Sequence, residues 1–185
     1  MFKFNGDIDE MSYPFIYETS TLCDFEILTD ELCTQVGLAG SACTERDADL
    51  QQVLFEIQPK MFDLNGSIRG RCAIGDAELD ELKSIYSQLK QLLVADDRKF
   101  VLPRGTGAVV PLHYCRSLSK KVTRLLVRLD QDGVSIPPIL PRYTNVLTNL
   151  FFVVTRIINQ RSAVEEPEYI SSNYGKARLS RVENP

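Results

Sequence analysis

Apolar side chains recur three and four residues apart along most of this chain, and that spacing constrains the fold more than any other feature. Such spacing draws a single apolar stripe along a helix of 3.6 residues per turn, whereas a half-buried strand would alternate apolar and polar residues. Five segments carry the helical stripe, at about 23–42, 47–64, 76–93, 108–130 and 143–160. The sequence therefore predicts an all-α fold, a five-helix bundle.

Proline and glycine divide the chain between these stripes. Pro59 lies inside the second stripe and predicts a kink or a break there, because it lacks a backbone N–H. Loops are predicted at 65–75, 99–107 and 131–141, where glycine and proline cluster. We expect one domain with an irregular N-terminal segment at 1–22, the helical bundle at 23–161 and a polar, loosely held C-terminal tail at 162–185.

Composition excludes several functional classes. The 185 residues carry 21 Lys and Arg against 25 Asp and Glu, a net charge of −4, which argues against a nucleic-acid binder. The chain has no apolar run near the roughly 18 residues of a membrane span. Five cysteines without a CxxC pair indicate reduced thiols. The N-terminus does not resemble a signal peptide, so we expect a cytoplasmic protein, or one of the mitochondrial matrix if a presequence has been removed.

The fourth predicted helix carries four cations in a column: Arg116, Lys120, Arg124 and Arg128 are spaced four apart. Like charges at this spacing repel by a few tenths of a kcal/mol each, and the column contains no carboxylate. Solvent, the carboxylates of another helix or subunit, or a polyanion such as a triphosphate could neutralise it. The preceding PRGTG loop offers backbone N–H groups to a phosphate.

The fifth predicted helix has a polar face that could hydrogen-bond a nucleotide or form an ordinary wet surface. It consists of Asn145, Thr148, Asn149, Thr155, Arg156 and Asn159. His113 is the only histidine, and its neighbours favour a packed or capping role. Cys115 is interpreted as a core thiol, and no group of side chains has the spacing of a metal site.

Four segments together carry a family resemblance. The third loop and fourth helix read FVLPRGTGAVVPLHYCRSLSKKVTR, and the fifth helix reads RYTNVLTNLFFVVTRIINQ. TDELCTQVGLA in the first helix and IQPKMFDLNGSI in the second extend the match over roughly residues 25–160. The chain resembles the PduO-type ATP:cob(I)alamin adenosyltransferases, which read approximately F-[IV]-L-P-G-G and then L-H-x-A-R-x-x-x-R-R-x-E-R.

The resemblance implies a trimer of five-helix bundles with active sites between subunits. It implies an enzyme that transfers the 5′-deoxyadenosyl group of ATP to the cobalt of reduced cobalamin and releases triphosphate. The implied cofactors and substrates are ATP, Mg²⁺ and cobalamin, with Mg²⁺ bridging the phosphates. The implied partner is a homotrimer of this chain.

The same resemblance assigns roles to individual residues. Arg116 would meet Asp30 of the neighbouring subunit, and Arg116 and Lys120 would face the nucleotide phosphates. Phe100 matches the aromatic residue that displaces the lower axial ligand of cobalamin, which leaves a four-coordinate cobalt that is easier to reduce. The remaining implied nucleotide-binding positions are Gly6, Asp7, Lys121, Arg124, Asn145 and Thr148.

The departures from the family pattern lie mainly on the ATP side. Lys120 and Lys121 replace two arginines, and Thr123 replaces a glutamate. The N-terminal phosphate loop, T-R-x-G-D-x-G-x-T in the family, retains Gly6 and Asp7 but has Asp9 at its second glycine. These losses keep an alternative open: a catalytically silent relative that serves as a structural or regulatory subunit and binds another protein.

Overall fold

Helices account for almost all the regular structure in the computed structural model, which describes residues 4–94, 100–170 and 172. The α-helices of these residues are α1 Thr21–Ser41, α2 Ala48–Ile57, α3 Pro59–Gly66, α4 Asp76–Lys90, α5 Val109–Gln131 and α6 Ile139–Arg161. Short 3₁₀ turns occupy Ile8–Glu10 and Glu45–Asp47. The predicted all-α fold is confirmed, with the second predicted helix divided into α2 and α3.

The division between α2 and α3 falls at Pro59, where the sequence predicts a kink or a break. Pro59 occupies the first position of α3, where its missing N–H costs no helical hydrogen bond. Gln58 joins the two helices, and its side-chain amide donates to the carbonyl of Cys33 in α1 at 3.2 Å. The chain therefore turns at this point while remaining attached to α1.

α6 begins at Ile139, earlier than the predicted start near 143. Pro138 precedes the helix and Pro141 lies within its first turn. The first turn of a helix has no intrahelical partners for its N–H groups, so proline is tolerated there. The end of the Pro-rich segment that indicated a loop therefore forms the first turn of α6.

The core lies between α5, α6 and the helices packed on them. α5 contacts both α1 and α6, while α4 packs on α6 and α3 packs on α1. Phe25, Tyr143 and Phe151 are among the largest fully buried side chains. None of the described helices is long and apolar enough to cross a membrane.

A buried ion pair ties the N-terminal segment to the bundle. Arg69 donates to Glu26 of α1 at 2.7 Å and to Glu18 at 2.8 Å, and its guanidinium lies 3.6 Å from the ring centre of Phe15. Only 3% of the Glu26 side chain is exposed. Burial, and then the hydrogen bond to Glu26, raise the pKa of Tyr13 to about 12.

The beginning of the C-terminal tail is ordered, where the sequence indicates a loosely held segment. The Leu102 N–H donates to the Pro167 carbonyl at 2.9 Å, and the Tyr169 N–H donates to the Phe100 carbonyl at 2.8 Å. An antiparallel bridge pairs Val101 with Glu168. Residues 164–170 therefore lie along the loop before α5.

Candidate functional site

The predicted binding residues lie mostly along the contact between α5 and α6. The two helices run antiparallel, because the Arg116 guanidinium lies 5.3 Å from the Phe152 ring centre while Thr123 hydrogen-bonds Thr144 at 2.8 Å. This register brings Lys120 of α5 to the level of Thr148 of α6. Lys120 therefore lies beside the first half of α6, where the sequence predicts nucleotide contacts, and Arg116 lies beside the start of its second half.

Arg116 is the most enclosed cation of the column. It is half-buried, and its Nε is buried without a hydrogen-bond partner among the described residues. Burial lowers the pKa of Arg116, because the charged form loses its hydration. A half-buried guanidinium whose Nε has no hydrogen-bond partner favours the binding of an anion from outside the chain.

Lys120 is one turn further along α5 and is more exposed. Its pKa is lowered, first by partial burial and second by the charge of Arg116. Proximity to Arg116 thus concentrates positive charge on this part of α5. An approaching polyanion would relieve the repulsion between the two cations.

The outer part of the column differs from the prediction that no carboxylate relieves it. Arg128 has a carboxylate one turn away: its Nε lies 4.0 Å from Asp132, and 66% of the Arg128 side chain is exposed. Lys121 and Arg124 are also exposed. Only the Arg116–Lys120 end therefore combines positive charge with burial, and the rest of the column is a solvated face.

Hydroxyl groups of α5 and α6 lie at the level of Lys120. Thr148 is 8% exposed and donates its hydroxyl hydrogen to the Thr144 carbonyl at 3.0 Å. Thr123, which replaces the glutamate of the family pattern, donates to the Ser119 carbonyl at 3.0 Å or to Thr144. Asn145 is exposed on the same part of α6. The hydroxyl groups carry no charge, and Asn145 is an exposed amide that a nucleotide could reach.

The second half of α6 carries polar residues for which the sequence left two roles open, a nucleotide-binding face or a wet surface. Thr155, Arg156 and Asn159 are 0%, 4% and 0% exposed, so they do not form a wet surface. Arg156 pairs with Glu166 through its Nε, and the Asn159 amide donates to Glu166 at 3.1 Å. The sequence signal was the presence of two polar residues three apart on a helix followed by an acid, which is too common to be specific.

His113 lies between these two regions. It is 4% exposed, and neither ring nitrogen has a hydrogen-bond partner in the described part of the chain. Burial, together with the charges of Arg116 and Arg156, lowers its pKa to about 4. The prediction of a packed residue is confirmed, and the imidazole is neutral at pH 7.

Phe100 lies outside the core in the loop before α5. Its side chain is 64% exposed, while its neighbour Val101 is 5% exposed. The Phe100 ring packs on Tyr169 with the ring centres 5.6 Å apart. An apolar ring is thus presented to solvent on the loop before α5, with Tyr169 packed on it.

Gly6 and Asp7 lie in a loop that satisfies its own polar groups. The Asp7 N–H donates to the Glu10 carboxylate at 3.1 Å, and the Asp9 N–H donates to the Asp7 carboxylate at 3.4 Å. Internal carboxylates therefore occupy two amides that could otherwise bind phosphate. No hydrogen bond recorded for the described residues joins this loop to Lys120.

Asp30 is exposed on α1, and the contacts recorded for the described residues do not pair it with Arg116 of the same chain. The structure also offers no group of three or more His, Cys, Asp or Glu side chains for a metal ion within the described ranges. Asp30 is therefore available to another chain, and Arg116 and Asp30 are not brought together within one protomer.

Comparison with known proteins gives a consistent match. A family model described as cobalamin adenosyltransferase matches residues 25–158. A corrinoid adenosyltransferase of Bacillus subtilis is 28% identical over 146 residues, covering 76% of this chain and 75% of the relative. A cobalamin adenosyltransferase of Cupriavidus metallidurans is 32% identical over 139 residues, or 71% of each chain.

The solved structures agree on the fold. A variant PduO-type ATP:corrinoid adenosyltransferase from Lactobacillus reuteri, complexed with cobalamin and ATP, superposes with a TM-score of 0.72 at 23% identity. The superposition covers 85% of this chain and 90% of that one. The arrangement of helices in this chain is therefore that of a known bundle.

Proposed function

This chain belongs to the cobalamin adenosyltransferase family, and from that premise we propose that it transfers the 5′-deoxyadenosyl group of ATP to reduced cobalamin. The electron pair of cob(I)alamin would form a bond from cobalt to the C5′ carbon. The bond between C5′ and the phosphate oxygen would break, and triphosphate would leave with the electron pair of that C–O bond. The cobalt supplies the nucleophile, so the protein supplies position and charge.

The observation that carries this proposal is the positive charge of half-buried Arg116 and of Lys120, one turn away on α5, beside helix α6. Negative charge grows on the triphosphate as the C5′–O bond breaks. Cations already held in place on the helix stabilise that charge without reorganising at the moment of reaction. Asn145, exposed on α6, would hydrogen-bond the nucleotide, and Thr148 would contribute its hydroxyl oxygen.

Phe100 would act on the corrinoid. Its exposed ring would occupy the space below the cobalt and displace the lower axial ligand, which favours reduction to Co(I). The distribution of polar and apolar residues supports this division of roles, because the cations lie on α5 beside α6 and the exposed aromatic ring lies on the loop before α5.

The nucleotide would bind with less help from the N-terminal loop than the family pattern provides. Gly6 and Asp7 would contribute as predicted only if a phosphate replaced the Glu10 carboxylate on the Asp7 amide. Lys121 and Arg124 would add long-range attraction from the exposed face. Since the described residues offer no acidic cluster, Mg²⁺ would be held mainly by the nucleotide phosphates and water.

We expect the active form to be a homotrimer in which Asp30 of one protomer pairs with Arg116 of the next. An exposed apolar surface supports an interface on α1 and α5. Ile27 and Leu38 are 46% and 55% exposed on α1, and Val110 is 51% exposed on α5. A neighbouring protomer packed on α1 and α5 would cover these exposed apolar side chains.

The compartment stays a prediction: the cytoplasm, or the mitochondrial matrix after removal of a presequence. All five cysteines are free thiols, which suits a reducing compartment. The alternative of a catalytically silent subunit is not favoured, because the relatives compared with this chain are named as adenosyltransferases.

The direct test is the conversion of cob(I)alamin to adenosylcobalamin, followed by its absorbance. We expect the wild-type protein to convert it with ATP, and Lys120→Met to lower kcat/KM for ATP by about 100-fold. Lys83→Met is a matched control, because Lys83 is exposed on α4 and pairs with Asp80 at 3.3 Å. Absence of turnover by the wild-type protein would refute the proposed reaction.

Assembly is tested separately by sedimentation. Arg116→Glu should dissociate the trimer, because it places two carboxylates against each other, and the double variant Arg116→Glu with Asp30→Arg should partly restore it. A wild-type protein that sediments as a monomer would contradict the interface, whatever its activity.

A further inference from the structure

The segment at 164–170 lies directly against the loop that carries Phe100. Two backbone hydrogen bonds join them, from Leu102 to the Pro167 carbonyl at 2.9 Å and from Tyr169 to the Phe100 carbonyl at 2.8 Å. The bridge between Val101 and Glu168 lies between these bonds. The backbone of Phe100 is therefore held by this segment.

The segment itself is anchored at Glu166. The Glu166 carboxylate accepts hydrogen bonds from Arg156 Nε and from the Asn159 amide, the latter at 3.1 Å. The side chains of Glu166 and Arg156 are 13% and 4% exposed. A paired, enclosed carboxylate of this kind fixes one position of the segment on α6.

Asn159 connects the same anchor to the loop before α5. Its amide nitrogen also donates to the Arg104 carbonyl at 3.0 Å. Gly105 follows, and a Cβ atom there would lie 2.3 Å from Asn159 Oδ1, so only glycine permits this approach. One amide thus holds both the Glu166 segment and the loop at 101–108.

Alternation along the loop then sets the direction of Phe100. Val101 is 5% exposed and turns inward, so the adjacent Phe100, at 64% exposed, turns outward. Tyr169 packs beside it with the ring centres 5.6 Å apart. Loss of the anchor would release the loop and the ring together.

We propose that residues 164–170 form a latch, with Glu166 as the positioning residue that sets the place of Phe100 in the reaction. The inference deepens the proposed function and rests on it. Glu166 lies too deep in the Arg156–Asn159 contact to be assigned to the substrate; it acts through the loop. The latch therefore matters for a corrinoid whose lower ligand must be displaced, and not for binding ATP.

Glu166→Gln tests the anchor, because it removes the charge and keeps the shape. Glu165→Gln is the matched control on the adjacent, exposed residue. We expect Glu166→Gln to lower cobalamin turnover about tenfold through misplacement of the ring. KM for ATP should stay unchanged, and cobinamide, which has no lower nucleotide ligand to displace, should still be converted. An equal loss with both corrinoids, or no loss with either, would overturn the proposal.

Tyr169→Pro tests the latch without touching the buried pair, since it removes both the N–H that donates to the Phe100 carbonyl and the ring that packs on Phe100. Ile170→Pro is its control: Ile170 is 67% exposed, and a proline there favours the extended conformation at residue 169. Tyr169→Pro should show the same selective loss with cobalamin, and Ile170→Pro should not. The reverse pattern would exclude the contacts of Tyr169 as the means of positioning.

Amide hydrogen exchange separates this inference from the proposed reaction. The Leu102 and Tyr169 amides should exchange faster in Glu166→Gln than in Glu165→Gln, with no corrinoid or ATP present. Unchanged exchange would refute the latch even if the enzyme is active. If the wild-type protein converts neither corrinoid, the proposed function fails, and so does the positioning role of Glu166 in the reaction. The exchange rates still decide whether Glu166 holds the loop.

Discussion

The single histidine of the chain allows a direct measurement of the electrostatics beside the cation pair. His113 is 4% exposed, and its pKa is lowered to about 4 by burial first and then by the charges of Arg116 and Arg156. The Phe152 ring lies 6.3 Å away from the imidazole ring, between centres. The folded protein should therefore keep this imidazole neutral throughout the physiological range.

The consequence for stability follows from the difference between the folded and unfolded states. An unfolded histidine binds a proton near pH 6.5, whereas folded His113 does so only near pH 4. As the pH falls below about 6.5, protons bind the unfolded chain and the free energy of unfolding decreases until about pH 4. Between pH 7 and pH 5 this difference removes about 2 kcal/mol.

Two measurements test this value. The imidazole signals in the proton NMR spectrum belong to one residue, so their shift against pH gives the folded pKa directly. Denaturant unfolding at pH 7 and pH 5, at one protein concentration, should show about 2 kcal/mol less loss for His113→Leu than for the wild-type protein. A folded-state midpoint near 6.5, or equal losses in the two proteins, would refute the assigned environment.

Two further predictions concern structural contacts that support the site. Arg69→Met should lower the free energy of unfolding by about 3 kcal/mol, because it leaves the Glu26 carboxylate buried without its cation. Arg71→Met, at an exposed arginine, should change it by less than about 0.5 kcal/mol. Equal effects of the two substitutions in denaturant unfolding would contradict the ion-pair argument. Gly105→Ala should cost about 1–3 kcal/mol in the same assay, because its Cβ would lie 2.3 Å from Asn159 Oδ1, and a neutral result would mean that the loop does not approach this amide closely.

Local periodicity predicts the helices well because each apolar stripe is a property of adjacent turns. The sequence places the first helix at 23–42, and α1 spans Thr21–Ser41. The two additional residues at its start follow Ser20, whose hydroxyl oxygen accepts from the Leu22 N–H at 3.1 Å and caps the helix. Pro59 also behaves as its chemistry requires, since any interior proline loses a helical hydrogen bond.

Contacts between distant segments could not be predicted in the same way. Arg156 and Asn159 have the composition of a wet helix face, and only the arrival of Glu166 and of the loop carbonyl of Arg104 makes their burial possible. The tail is polar in composition, yet its backbone N–H and C=O groups pair with the loop. Burial of polar residues depends on partners, and spacing along one helix does not reveal them.

The cation column shows how a correct local pattern can still divide into two functions. All four cations share one helical face, so the sequence treats them alike. In the fold, Arg128 is solvated and has Asp132 nearby, whereas Arg116 lies on Phe152 with its Nε buried. Because His113 beside it stays neutral and the nearby Arg156 is paired with Glu166, the charge offered to an anion at this end comes from Arg116 and Lys120. Two charges suit a triphosphate that must also be released, and the self-capped Gly6–Asp7 loop adds little further hold on it. We therefore expect nucleotide binding to limit the rate of the proposed reaction. The loop that carries Phe100, held by Glu166, keeps a more defined geometry.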